Sequence, residues 1–341
     1  MVIFARRGGI FCPLHKFDLN FTKSTMKNAN KVSRSFQHMI LLCGCLLIYY
    51  SVSARQHKPT ESGYIAQKTQ GIDSDYVLIF NSYSESAPWC RSLVDSTVMD
   101  LIKLSPQTMT VTQNLNSGLL RDEKALAQLR QQVDVSYHDK PRMIIYIGST
   151  SWPFLHETIE KKWGKVPSII FSDIDYTGPI TNLLRKTPIA PALRIPYDKI
   201  VKEYEGALSV VYMPIYLRQS LALMHQLTPP MTELCFISDT RWISAQMRAD
   251  MAAITKTDFP ELKVRYLISA DMSTLDLLDS LQHYGQETGV LFFSWLKQSQ
   301  VGDSFVNDSH FRIIISKSAR QPLFVLNDNE GNTDSDVLGG Y

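Results

Sequence analysis

Met143-Ile-Ile-Tyr-Ile147, then Gly148-Ser-Thr-Ser151, then Trp152-Pro-Phe-Leu-His-Glu-Thr-Ile-Glu-Lys-Lys-Trp163, and finally Pro167-Ser-Ile-Ile-Phe171 decide the fold. The first run is short, unbroken and apolar, which suits a strand buried on both faces. Gly148 ends it, a helix is predicted from about Trp152 to Trp163, and a second apolar run follows. Strand, crossover helix and strand make the repeating unit of a parallel sheet covered by helices on both sides.

The same alternation extends both ways. Upstream, Tyr76-Val-Leu-Ile-Phe80 predicts a strand, and Pro88 opens a helix carrying Leu93, Val94, Val98, Leu101 and Ile102 at helical spacing. Thr108 to Leu115 alternates with β-branched residues, and Leu126, Leu129 and Val133 form a helical stripe. Residues 174–212 are less regular and carry Pro179, Pro188, Pro191 and Pro196. Beyond them the alternation resumes. Helices are predicted over Ile215–Leu227, Trp242–Ile254 and Leu275–Tyr284, and strands over Glu233–Ile237, Lys263–Ile268, Val290–Phe293 and Pro322–Leu326. The expectation is an α/β protein of two Rossmann-like lobes with parallel sheets, lobe 1 over 75–212 and lobe 2 over 213–341, with a binding cleft between them.

Charge is unevenly spread. Residues 1–34 hold seven Lys/Arg against the single acid Asp18, so they carry +6 of a formal total of +2 and leave −4 for the rest. That mildly acidic body has no basic stripe, which excludes nucleic acid as the expected partner. Lys27, Lys31 and Arg34 precede the apolar run Met39-Ile-Leu-Leu-Cys-Gly-Cys-Leu-Leu-Ile-Tyr-Tyr50 and the small residues Ser51-Val-Ser-Ala54. The run falls short of the roughly 20 apolar residues of a spanning helix. Residues 26–54 therefore read as a cleaved signal peptide in preference to a retained anchor, with the body in the periplasm or held at the inner membrane. Residues 1–25 read as an extension from a misplaced start, and 55–74 as a polar linker. Of the five cysteines only Cys90 and Cys235 fall in the body, and no Cys/His spacing suggests a metal.

In open parallel sheets ligands bind beyond the carboxyl ends of the strands. Here those ends carry Asn81-Ser-Tyr-Ser-Glu85, Gly148-Ser-Thr-Ser-Trp152, Ser172-Asp-Ile-Asp175, Asp239-Thr-Arg-Trp242, Ser294-Trp295 and Asn327-Asp328. The candidate ligand-binding residues are accordingly Ser82, Tyr83, Trp89, Ser149, Ser151, Trp152, Asp173, Asp239, Arg241, Trp242 and Trp295. Tryptophan offers rigid area with a polar tip, suited to sugars and aromatic rings, and at least one is expected to face the cleft. The alternative for each is packing of a first helical turn on the sheet. Ser149–Ser151 at a helix start suits a ligand carboxylate or phosphate, or plain capping. Arg241 beside Asp239 suits a ligand clamp or a surface ion pair, and Asp173 and Asp175 read as loop residues.

No catalytic centre is expected. GxSxG, GxxxxGK[ST] and HExxH are absent, the glycines form no dinucleotide fingerprint, and the eight histidines are scattered. No cofactor is implied. Asn307-Asp-Ser309 fits a glycosylation sequon.

Val77-Leu-Ile-Phe-Asn-Ser-Tyr83 with Pro88-Trp89, Ile144-Ile-Tyr-Ile-Gly148, Val166-Pro-Ser-Ile-Ile-Phe171, Glu233-Leu-Cys-Phe-Ile-Ser-Asp239 and Val337-Leu-Gly-Gly-Tyr341 carry a resemblance. Over roughly residues 75–341 the chain resembles the substrate-binding-protein-like sensor regions of Bacteroidetes-type two-component histidine kinases. These are in turn similar to the type I periplasmic binding proteins of ABC transporters. The resemblance implies a module that binds a small organic ligand between its lobes and passes closure to a dimer partner or downstream kinase. The alternative is a solute-binding protein serving a transporter, and an exported α/β hydrolase lacks any nucleophile constellation. In that family the chain continues into a membrane span and a kinase. Here the sequence stops at Tyr341, so a truncated or split reading frame is expected and kinase activity is not carried over.

Overall fold

The computed structural model describes residues 76–84, 87–213, 215–228, 230–298, 305–306 and 311–326. The predicted signal segment, the linker, the sequon and the Val337–Tyr341 segment lie outside the described residues. No helix among the described residues is long and apolar enough to cross a membrane.

Two parallel sheets dominate, as the alternation implies. The first holds β1 (Tyr76–Asn81), β2 (Met109–Asn114), β3 (Met143–Ile147), β4 (Ser168–Ser172) and β7 (Leu208–Tyr212) in the order β2-β1-β3-β4-β7. The second holds β8 (Glu233–Ser238), β9 (Lys263–Ile268), β10 (Thr288–Phe292) and β11 (Leu323–Val325) in the order β9-β8-β10-β11. Written from the first strand of each, both begin 2-1-3-4, so the second sheet repeats the winding of the first. In each the order reverses beside its first strand, between β1 and β3 and between β8 and β10. A crevice opens at such a reversal because neighbouring loops leave in opposite directions.

The central strands are apolar throughout because helices cover both faces. On one face Leu78 and Phe80 pack with Ile144 and Tyr146, above α2 (Glu123–Ser136) and α3 (Ser151–Trp163). On the other, Val77 and Ile79 meet Ile145, Ile147 and Cys90 of α1 (Pro88–Leu104). In the second sheet Leu234 and Phe236 lie with Leu221 and Met224 of the helix Leu217–Leu227 (α6) and Met247 of Trp242–Asp258 (α7). Cys235 and Ile237 lie with Leu277 and Leu281 of Thr274–His283 (α8) and Ile315 of Phe311–Ser318 (α9). Cys90 and Cys235 are both buried and free.

Helix starts follow local chemistry. Asp122 accepts from the Ala125 amide at 2.8 Å to cap α2. Ser273 and Asp276 form a reciprocal capping box at α8.

The stretch predicted as irregular, 174–212, is more structured than its prolines suggest. It contains a small antiparallel pair, β5 (Tyr176–Thr177) with β6 (Ile195–Pro196), and two short helices, α4 (Ile180–Arg185) and α5 (Tyr197–Glu203). It also contains β7, which pairs with β4 in parallel. β7 escapes a reading by apolar runs because it is an edge strand of which only Leu208 is buried.

Candidate functional site

The loops after β1, β3 and β4 in the first sheet and after β8 in the second meet. Tyr83, just past β1, lies beneath Arg241, just past β8, with the guanidinium carbon 4.9 Å from the ring centroid. The carboxyl ends of the two sheets are therefore in direct contact.

On the first-sheet side, Asp173 is the hub. Its Oδ2 accepts from the Tyr83 hydroxyl and from the Ser149 hydroxyl, each at 3.3 Å. Burial pushes its carboxyl above the ordinary value, and Arg241 with the two hydroxyl donors only partly offsets that. Burial pushes the Tyr83 phenol well up too, with Asp173 adding to the effect. Asp173 is thus a central member of the cluster, and Asp175 beside it is exposed.

On the second-sheet side, Asp239 is fully buried and Arg241 nearly so, with side-chain exposures of 0% and 14%. Arg241 Nε donates to Asp239 Oδ2 at 2.8 Å, and its backbone N–H donates to Oδ1 at 2.9 Å. The Ser244 hydroxyl donates to the same Oδ1 at 2.6 Å. Arg248 Nη1 donates to the Asp239 carbonyl at 2.8 Å and to the Ser238 hydroxyl at 2.9 Å. Burial works against the Arg241 charge, but Asp239, Tyr83 and Asp173 outweigh it and hold the guanidinium protonated. Of the two readings of Arg241 beside Asp239, a ligand clamp or a surface ion pair, the pair is present but internal. Ser244 and Arg248 belong to this network and were missed by reading strand ends alone, because both lie inside α7.

Other candidates are placed differently. Ser82 and Ser151 are buried and their hydroxyls serve the first-sheet scaffold. Ser82 Oγ accepts from the Ser151 amide at 2.9 Å, so one amide of the helix start that suits an anion or plain capping is bonded within the protein. Ser151 Oγ donates to the carbonyls of Ile147 and Gly148, each at 3.2 Å. Capping does not account for this loop either: Thr150 at the N-cap makes no capping bond and instead meets the Ser117 hydroxyl at 2.7 Å.

The tryptophans pack into the protein. Trp152 is stacked 4.1 Å from His156 and edge-on to Tyr197 and Tyr204. Trp242 is buried, and its Nε1 donates to the Thr187 carbonyl at 3.1 Å. Trp295 is buried, donates from Nε1 to Thr274 Oγ1 at 3.2 Å, and lies under Lys297. None of these three is a member of the Tyr83–Arg241 cluster. Trp89 lies in α1, and its side chain falls outside the described residues. For Trp152 and Trp242 the reason is positional, since a residue in the first turn of a covering helix points back onto the sheet, whereas Trp295 lies in the loop after β10.

The site that emerges is compact: Tyr83, Ser149 and Asp173 against Asp239 and Arg241. It offers a cationic fork, a carboxylate and two hydroxyl donors within one buried junction. Among the described residues no group of three or more His, Cys, Asp or Glu side chains is placed to hold a metal ion.

Asp173 gives a pH-dependent prediction. Its folded value is raised, so its contribution is most favourable below the ordinary value of 3.8 and is lost as pH rises through the folded value. Asp173→Asn is expected to make the protein more stable at about pH 7 and to change little at about pH 3. Urea unfolding at the two pH values checks this; a gain of equal size at both would contradict it.

No family model matches the chain, and no curated protein matches it. Similar solved structures include a conserved domain protein from Vibrio cholerae, with 7% identity, 76% of each chain covered and a TM-score of 0.45. The ABC domain from Streptococcus pneumoniae in complex with L-Trp gives 10%, 76% of each chain and 0.43. An ABC sugar transporter subunit from Rhodobacter sphaeroides gives 10%, 74% of this chain, 78% of that chain and 0.42.

Proposed function

We propose that the chain is a small-ligand-binding module that works outside the cytoplasm and reports occupancy to a signalling partner by changing how its two sheets meet. One observation carries the binding half: Arg241 of the second sheet rests on Tyr83 of the first, at the loops where each strand order reverses. A ligand entering there exchanges contacts with both sheets at once, so binding and rearrangement are the same event. The acceptor carboxyl of Asp173 and the cationic fork of Arg241 favour a polar organic ligand with both donor and acceptor groups. The location follows from the basic and apolar segments before Ala54, and the signalling role from the quoted resemblance.

A thermal-shift screen of the full chain against sugars, amino acids and nucleosides tests the binding half. A ligand at about 100 times its Kd stabilises by roughly 2.7 kcal/mol, which raises Tm by roughly 5 °C for a protein of this size. A screen in which no polar compound moves Tm would count against the proposal. For the signalling half, kinase-coding sequence beside the gene is the expected finding, and a permease with an ATPase there would overturn it in favour of solute delivery.

A further inference from the structure

Between α4 and β6 the chain lays residues 187–194 along α7. Trp242, Gln246 and Asp250 recur every four residues and so share one face of that helix. Each takes one polar contact from the segment. Trp242 Nε1 donates to the Thr187 carbonyl at 3.1 Å, the Ile189 amide donates to Gln246 Oε1 at 2.7 Å, and Arg194 Nη2 donates to Asp250 Oδ1 at 2.7 Å. Gln246 Nε2 also donates to Asp250 Oδ1 at 3.1 Å, which links the second contact to the third. Arg194 in addition lies 4.6 Å over the ring of Tyr176. Beneath these bonds Ile189, Leu183 and Leu184 are buried in one apolar cluster with Trp242, Ile243 and Met247.

The position of this strap ties it to the site. Its excursion leaves the first sheet at Asp173, immediately after β4, and returns through β7. Helix α7 begins at Trp242, immediately after Arg241. The two elements that the strap joins therefore start at Asp173 and just after Arg241, charged residues of the junction, one from each sheet.

We propose that the strap is a latch that holds the two sheets in contact without ligand, and that its release from α7 controls opening of the junction. The regulatory meaning rests on the ligand-binding reading above, but the latch itself is testable with no ligand. A protein whose open form is a minor population admits ligand only through that population, so the latch sets both the entry rate and the apparent affinity.

The Ile189 amide is a direct reporter, because its bond to Gln246 is one of the three contacts. Native-state hydrogen exchange on the full chain is the measurement. In Asp250→Ala and, separately, in Arg194→Ala, Ile189 is expected to exchange about tenfold faster, the factor of one lost charge-assisted hydrogen bond. The amides of Ile145 in β3 and Phe236 in β8 report global opening and are expected to exchange more slowly than Ile189 in the parent and in both variants. Unchanged exchange at Ile189 in both variants would overturn the latch. So would exchange at Ile189 no faster than at Ile145 and Phe236, since that reports global unfolding and not release of the strap. Small-angle scattering of the same variants is expected to show a larger radius of gyration than the parent, and an unchanged radius would overturn control of opening. If the latch passes these tests while no ligand is found, the proposed function fails and the latch stands.

Discussion

Arg241→Ala is expected to destabilise the protein by about 3 kcal/mol. Asp239 is fully buried, and the Arg241 fork is the cation bonded to its carboxylate, at 2.8 Å. Removing one partner of a buried pair leaves the other charge without compensation, which costs about 3–5 kcal/mol. The lower end applies here because Asp239 keeps the Ser244 hydroxyl and the Arg241 backbone N–H. Arg241→Lys keeps the charge but loses the guanidinium contact over the Tyr83 ring and the fork geometry, so it is expected to fall between parent and Ala. In the Arg241→Ala background, Asp239→Asn is expected to recover part of the loss by removing the stranded charge. Urea unfolding of the four proteins gives the comparison. A loss under about 1 kcal/mol for Arg241→Ala would mean the pair behaves as a surface ion pair.

Gly148→Ala is the second large effect, again about 3 kcal/mol. Gly148 has φ +87°, a conformation that side chains rarely adopt, at a cost of about 1–2 kcal/mol. An added Cβ there meets Ser82 Cβ and Oγ at 2.7 Å and Tyr83 Cε2 at 3.2 Å. Crowding of that kind costs about 1–3 kcal/mol more. Ser82 cannot move freely, because its hydroxyl holds the Ser151 amide and its backbone N–H bonds to the Ile147 carbonyl. The strain falls on Tyr83, so the variant is expected to weaken ligand binding as well as stability. Calorimetric Tm measures the first, and the responding compound from the screen measures the second.

These two residues show how much of the molecule is legible in the chain. Gly148 ends an apolar run and opens a hydroxyl-rich loop, and sequence alone places it at a strand end. The central strands are legible because burial on both faces leaves an unbroken apolar run in each. Tyr83, Ser149, Asp239 and Arg241 are legible as loop residues after such strands. What remains hidden is which neighbours share a contact. Ser82 and Ser149 read alike, yet one closes a scaffold bond and the other reaches Asp173. Trp152, Trp242 and Trp295 stand near strand ends, yet each packs into the protein. The strap looks irregular in sequence because its signal lies elsewhere, in polar Gln246 and Asp250 placed at helical spacing from Trp242 on one helix. Polar residues on the inner face of a helix imply partners, and that pattern is the one sequence clue to the latch.

The central claim is that a ligand enters between Tyr83 and Arg241. A crystal structure of the chain with the compound that raises Tm most tests it directly. The expected result is density for the compound at Asp173 and Arg241, with the guanidinium moved beyond its 4.9 Å contact with the Tyr83 ring. A compound bound elsewhere, with that contact intact, would contradict it.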